Sequence, residues 1–264
     1  MAKMLDIRDL TVRYHSMGRT TDAVNGISLR IDKGSFTGLV GESGSGKSTL
    51  MAALLGLLPQ RTEITGEILY KGTDILRMSD SEMRDLRWKE ISLVPQGAQN
   101  SFTPVMKIKR HIEEVLNVHS GKFGEDAEKE AARLLEDVGL DAGIKERYPH
   151  ELSGGQKQRA AIALALACSP ALLLADEPTT ALDVIIQAEI LELLSGLRKS
   201  KNLSIILVTH DLPLAAMVCD RLVVMKDGII AETGTPSELV NDPRHPHTKD
   251  LVREMFWQRD KKNG

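Results

Sequence analysis

Gly41-Glu42-Ser43-Gly44-Ser45-Gly46-Lys47-Ser48 is the stretch that decides how this chain reads. It matches the pattern G-x-x-x-x-G-K-[ST], and its flanks supply the setting that pattern requires. Residues 35–40 predict a buried strand before it, and residues 47–58 predict a helix after it, ended by Pro59. The glycines Gly41, Gly44 and Gly46 let backbone N–H groups, that of Ser43 among them, turn inward on phosphate oxygens, and the helix N-terminus adds positive partial charge. Lys47 is then expected to reach the terminal phosphates of a nucleotide, and Ser48 to ligate Mg²⁺. A turn that merely joined strand to helix would leave Lys47 without a purpose.

Two apolar strands further along bring chemistry that suits this cradle. Leu172-Leu173-Leu174-Ala175-Asp176-Glu177 ends in a carboxylate pair, as expected of a buried parallel strand that delivers acids at its C-terminal edge. Asp176 can hold Mg²⁺, directly or through water, and Glu177 can orient and polarise the water that attacks a γ-phosphate. Residues 205–208 form another such strand, which ends in Thr209-His210-Asp211 and offers His210 as a contact to the γ-phosphate.

The organisation around these strands is that of an α/β fold with a largely parallel sheet. Residues 5–14 and 23–31 read as two antiparallel strands joined by a polar, glycine-containing turn. Between residues 102 and 149 the strand signal gives way to helical periodicity: Ile108, Ile112, Val115 and Leu116 share one face, and Ala127, Ala131, Leu134, Leu135 and Val138 another, with Gly139 as a C-terminal cap. Strands return at 171–175, 204–208 and 221–225, with helices at 184–198 and 212–218 between them.

Composition bounds what the chain does. In 264 residues, 34 Lys and Arg stand against 37 Asp and Glu, a net charge of -3, whereas a dedicated nucleic-acid binder is usually basic. Residues 1–10 lack the apolar stretch of a secretory signal, so export is not expected. The longest apolar region, 160–175, is divided by Ser169 and Pro170 and falls short of the roughly 20 residues that span a bilayer. Cys168 and Cys219 lie in apolar helical patterns without metal-ligand spacing and read as buried structural thiols.

Leu152-Ser153-Gly154-Gly155-Gln156, opening the apolar helix 158–168, turns this general reading into a specific one. With the preceding motifs in the same order, the sequence resembles the ABC transporter ATPases over nearly its whole length. That resemblance implies a P-loop ABC ATPase fold: a RecA-like catalytic core with an N-terminal antiparallel β subdomain in 1–98 and 166–240, an inserted α-helical subdomain in 99–165, and a C-terminal tail in 241–264. It implies that Tyr14 stacks on adenine, that Thr49 joins the nucleotide contacts, and that Gln96 senses Mg²⁺, water and the permease. Asp183 matches the loop that communicates across the dimer. Ser153, Gly154, Gly155 and Gln156 sit at a helix N-terminus, a natural anion site. In the family they meet ATP held by the P-loop of a second ATPase subunit, identical or homologous.

Pro149-His150-Glu151 and the tail segment His245-Pro246-His247-Thr248 look like the dipeptide and oligopeptide permease branch, which also includes nickel and some oligosaccharide importers. Pro246 between the two histidines favours a turn docking a final helix over a metal site. A cysteine-rich extension for an iron–sulfur cluster, carried by many members, is lacking, so no cluster is expected. Gly97-Ala98-Gln99-Asn100-Ser101-Phe102-Thr103-Pro104 departs from the acidic, Pro-containing form of the branch in a segment expected to face the permease. The expected assembly is two ATPase subunits with two transmembrane permease subunits at the cytoplasmic face of the cell membrane, served indirectly by an extracytoplasmic solute-binding protein, with no nucleic acid. Rival expectations are a nucleotide-driven clamp in DNA repair or translation, and an exporter subunit.

Overall fold

The protein is described by a computed structural model covering residues 3–16 and 19–263. It divides into two compact units: residues up to Met83 with those from Ile206 onward, and Arg84–Ile205. The tip of the turn expected between the first two strands, at 17–18, lies outside the described residues.

In the first unit, β1 (Lys3–Ser16) and β2 (Arg19–Asp32) pair antiparallel, with Ile7 opposite Leu29 and Val12 opposite Val24. Leu5 and Ile7, then Leu10 and Val12 beyond an irregularity at Arg8–Asp9 that shifts the register, are all buried, and a one-residue slip of either pair would turn it outward. The five residues of β3 (Phe36–Val40) are buried without exception, as a strand covered on both faces requires. The phosphate loop follows, then α1 (Lys47–Leu54).

Helix α1 ends before the proline expected to stop it. Gly56 takes φ 60°, its N–H reaches the Ala53 carbonyl at 3.1 Å, and the Leu57 N–H reaches that of Ala52 at 2.8 Å. This glycine cap supplies the carbonyl partners that a helix end needs, so Pro59 falls beyond an end already made.

Two strands that the apolar pattern did not announce come next. β4 (Thr62–Tyr70) pairs antiparallel with β1, and β5 (Thr73–Asp74) with β4. Much of β4 faces solvent and only Ile68 and Tyr70 are buried, which explains why it lacks an apolar run. α2 (Asp80–Leu86) leads into the second unit.

There β6 (Ile91–Val94) pairs in parallel with β7 (Leu172–Asp176), Val94 lying opposite Ala175. The helical segment between them is α3 (Ile108–Val115), α4 (Gly124–Asp137) and α5 (Gly154–Ala165). Ile108, Ile112 and Leu116 are fully buried, as are Ala131 and Leu135. Each large side chain removed from water contributes about 1.5–3 kcal/mol, so the faces read from periodicity lie in this unit's core, except that Val115 is only half-buried. Gly139 at φ 73° caps α4, with its N–H on the Glu136 carbonyl at 2.9 Å. α6 (Val184–Lys201) follows β7, its N-cap Asp183 accepting from the Ile186 N–H at 3.0 Å.

β8 (Ser204–Thr209) begins in the second unit and ends in the first, every residue buried. α7 (Leu212–Val218), β9 (Arg221–Lys226), β10 (Ile229–Gly234), α8 (Pro236–Asn241) and α9 (Pro246–Asn263) complete the chain. β9 runs parallel to β3 and antiparallel to β10. The cysteines behave unequally. Cys219 is buried, while Cys168 is only half-buried and lies beyond the end of α5, accepting a hydrogen bond from the Ser120 hydroxyl at 3.2 Å. Burial pushes its thiol pKa up, which keeps it protonated and unreactive.

Candidate functional site

The phosphate loop is shaped by what its glycines must avoid. A side chain at Gly41 would collide with the Met225 carbonyl and one at Gly46 with that of Ala23, while Gly46 also holds φ 101°. Gly44, at φ 82°, faces open space. The first two glycines are therefore demanded by close backbone approach, and Gly44 by its left-handed conformation. The loop is further pinned by the Gly228 N–H, which donates to the Ser45 carbonyl at 3.2 Å.

Lys47 is buried, and its ammonium folds back into the loop. Nζ donates to the carbonyls of Gly41 and Glu42, each at 2.7 Å, and to Ser45 Oγ at 3.1 Å. A cation so placed waits beside the α1 N-terminus, whose cap Gly46 offers no side-chain acceptor to the first-turn N–H groups. The donors and the charge suit a phosphate. Ser48 is exposed, at the loop's outlet. Tyr14 is half-buried on β1, and its hydroxyl donates to Thr49 Oγ1 at 3.4 Å, which brings the expected aromatic to the first turn of α1.

In the same unit, His210 is exposed immediately after β8. Its neighbour Asp211 begins α7 by accepting the Leu214 N–H at 2.9 Å. The imidazole is thus carried at the junction of a buried strand and a capped helix, on rigid elements.

The second unit holds the carboxylates. Asp176 closes β7 and Glu177 follows it, both half-buried. Glu177 adopts φ 43°, unusual for a residue with a side chain. Such strain persists only where the surroundings impose it. They do so here: Gln96 Nε2 donates to Glu177 Oε2 at 3.0 Å and Thr180 Oγ1 donates to the same oxygen at 2.9 Å. Gln96, beyond the end of β6, keeps an amide oxygen as an acceptor. Thr180 was not among the residues singled out from sequence, although a threonine three positions after an acid in a turn is a recognisable side-chain bonding pattern.

Ser153 and Gln156 form a capping box at the start of α5. Ser153 Oγ accepts from the Gln156 N–H at 3.3 Å, and Gln156 Oε1 accepts from the Ser153 N–H at 3.0 Å. The box orders the first turn, and Ser153 and Gly154 stand exposed there. A side chain at Gly155 would press on Ile186, and one at Gly154 would crowd Gln99 Oε1. The glycines keep α5 close to its neighbours and leave its N-terminus open to an anion.

Ser48 in the first unit, and Gln96 and Asp176 in the second, each carry an oxygen donor of the hard kind that Mg²⁺ prefers.

Comparison with known proteins extends these observations. The family model described as "ABC transporter" matches residues 24–180. The chain is 45% identical to the oligopeptide transport ATP-binding protein OppD of Bacillus subtilis, over 97% of its own length and 72% of that protein's. It is 43% identical to the dipeptide transport ATP-binding protein DppD of the same organism, over 96% and 76%. Among solved structures, it resembles the ATP-binding cassette MJ0796, a dimer in a post-hydrolysis state bound to ADP and Pi, with TM-score 0.78 and 31% identity, covering 88% of this chain and 99% of that one. It also resembles cbiO1 from Clostridium perfringens, part of the ABC transporter complex cbiONQ, with TM-score 0.80 and 30% identity, covering 96% and 94%.

Proposed function

The chain belongs to the ABC transporter family, and from that premise we propose that this ATPase energises the import of dipeptides or oligopeptides through separate permease subunits in the membrane. The observation that carries the reading is the glycine cradle with Lys47 drawn onto the carbonyls of Gly41 and Glu42, in a chain 45% identical to an oligopeptide transport ATP-binding protein. No helix among the described residues is long and apolar enough to cross a membrane. In this reading, which the ATP-binding relatives support, translocation belongs to other subunits and this chain sits at their cytoplasmic face.

Roles follow from chemistry. Lys47 exchanges its loop carbonyls for the terminal phosphates of ATP, and the N–H groups of Gly44, Gly46, Ser48 and Thr49 supply further donors. Tyr14 stacks on adenine. Ser48, Gln96 and Asp176 would hold Mg²⁺, which when bound neutralises charge developing on the phosphates. Glu177 orients the attacking water and accepts its proton, steadied by Gln96 and Thr180, and His210 contacts the γ-phosphate. Ser153, Gly154, Gly155 and Gln156 receive the triphosphate bound by a second ATPase subunit. Closure of that dimer is the movement the permease would use. A solute-binding protein outside the membrane selects the cargo, and the nucleic-acid clamp is not favoured.

Reconstitution tests this reading. The chain, co-expressed with candidate permease subunits and a peptide-binding protein from its own organism, should hydrolyse ATP faster in proteoliposomes when peptide is supplied to the binding protein. Indifference to peptides, with stimulation by nickel or an oligosaccharide, would move the assignment to another cargo.

A further inference from the structure

His247, in the first turn of α9, is a buried polar side chain that the ATPase chemistry leaves unused. It is only 3% exposed, and its Nε2 has no hydrogen-bond partner among the described residues. An imidazole in that state is destabilising relative to an apolar ring of similar size, so filling space does not account for it. Its other ring nitrogen, Nδ1, faces the phosphate loop, 3.9 Å from Glu42 Oε1. Glu42 is the second residue of that loop, and its backbone carbonyl is one of the two that receive Lys47 Nζ.

The seat of His247 is built. Glu232 on β10 accepts the backbone N–H groups of Arg244 and His245 at 2.9 and 3.0 Å. His245 Nδ1 then accepts the His247 N–H at 3.2 Å. Thr248, the next residue, is fully buried. One histidine of the pair thus shapes the turn and the other meets the loop.

Charge gives the contact its consequence. Glu42 sits in a loop whose ligand is a polyanion, and a carboxylate that swung toward the phosphates would oppose them. We propose that His247 is a positioning residue for nucleotide binding: it retains the Glu42 carboxylate on the tail side of the phosphate loop, so that this charge does not oppose ATP. The inference rests on the reading of that loop as the ATP site.

The test measures Mg-ATP affinity of the full chain by equilibrium titration. His247→Gln should raise Kd about 3- to 10-fold, an effect expressed in KM more than in kcat. Adding Glu42→Gln should restore Kd to within about twofold of Glu42→Gln alone, a rescue that a purely structural histidine would not show. A second measurement leaves His247 in place: the ¹⁵N resonances of its ring should move in Glu42→Gln, a substitution at an exposed side chain. Equal weakening by His247→Gln in both backgrounds, no weakening at all, or unmoved ring resonances would each overturn the proposal. Failure of the unaltered chain to bind ATP would overturn the parent reading and this one with it, whereas normal binding insensitive to His247→Gln overturns this one alone.

Discussion

Gln96 and Glu177 are joined by a hydrogen bond of 3.0 Å, from amide Nε2 to carboxylate Oε2. The bond ties Gln96, two residues beyond β6, to Glu177, the residue after β7, two strands in parallel register. Whatever displaces Gln96 therefore also turns the carboxylate assigned to activate water. With the roles proposed above, a single side chain would connect events at the loop following Gln96 to the rate of hydrolysis.

Replacing Glu177 with Gln keeps the shape of the carboxylate and removes its basicity. ATP binding should stay within a few-fold of the unaltered protein while turnover falls about 10²- to 10⁴-fold, the usual contribution of a general base. Phosphate release and nucleotide titration measure the two quantities, and size-exclusion chromatography with ATP should show a longer-lived dimer. Hydrolysis at the ordinary rate would remove Glu177 from its assigned role.

Thr180→Val tests the second donor to Glu177. The substitution is nearly isosteric and deletes a 2.9 Å hydrogen bond to a charged group, an interaction typically contributing about 1.5–3 kcal/mol. With only part of that expressed in the transition state, kcat should drop about tenfold and KM for ATP should barely move. A change confined to KM would mean that Thr180 serves binding and does not orient the carboxylate.

These assignments were unequally legible in the sequence. Lys47, Asp176 and Glu177 could be read because strand, loop and helix signals surround them, and burial of β3 and β7 follows directly from their apolar runs. Tyr14, Gln96 and the signature residues needed family resemblance, since a tyrosine on a strand or a glutamine after a proline carries no pattern of its own. β4 escaped because most of its residues face solvent, and the early end of α1 because Gly56 acts through a left-handed conformation that periodicity does not register. Thr180 and His247 act through contacts that only folding creates.

Lys47→Ala and Gly46→Ala should fail in different ways, although they are neighbours. The first removes an ammonium that three acceptors hold and that a triphosphate would claim, so nucleotide affinity should fall more than tenfold with the fold retained. The second forces a Cβ against the Ala23 carbonyl at φ 101°, and backbone strain of this kind costs about 1–3 kcal/mol or more. Thermal unfolding and ATP titration, run on both variants, separate them. Unchanged ATP binding in Lys47→Ala would remove the phosphate-cradle argument.

Acid should loosen the second unit through one carboxylate. Glu146 receives the ammonium groups of Lys109 and, at 2.9 Å, Lys107. The Lys109 hydrogen bond first, then that of Lys107, lowers its pKa from 4.5 to about 2. A carboxylate whose folded pKa is depressed stabilises the fold at pH values above the unfolded pKa and loses that contribution as pH falls through the folded one. The stabilisation is therefore complete near neutrality and disappears progressively between about pH 4.5 and 2. Carboxyl ¹³C titration should place the Glu146 midpoint near the lower end of that window, and Glu146→Gln should flatten the fall in melting temperature across it. A midpoint at the ordinary glutamate value would show that the two lysines are solvated in solution and contribute nothing there.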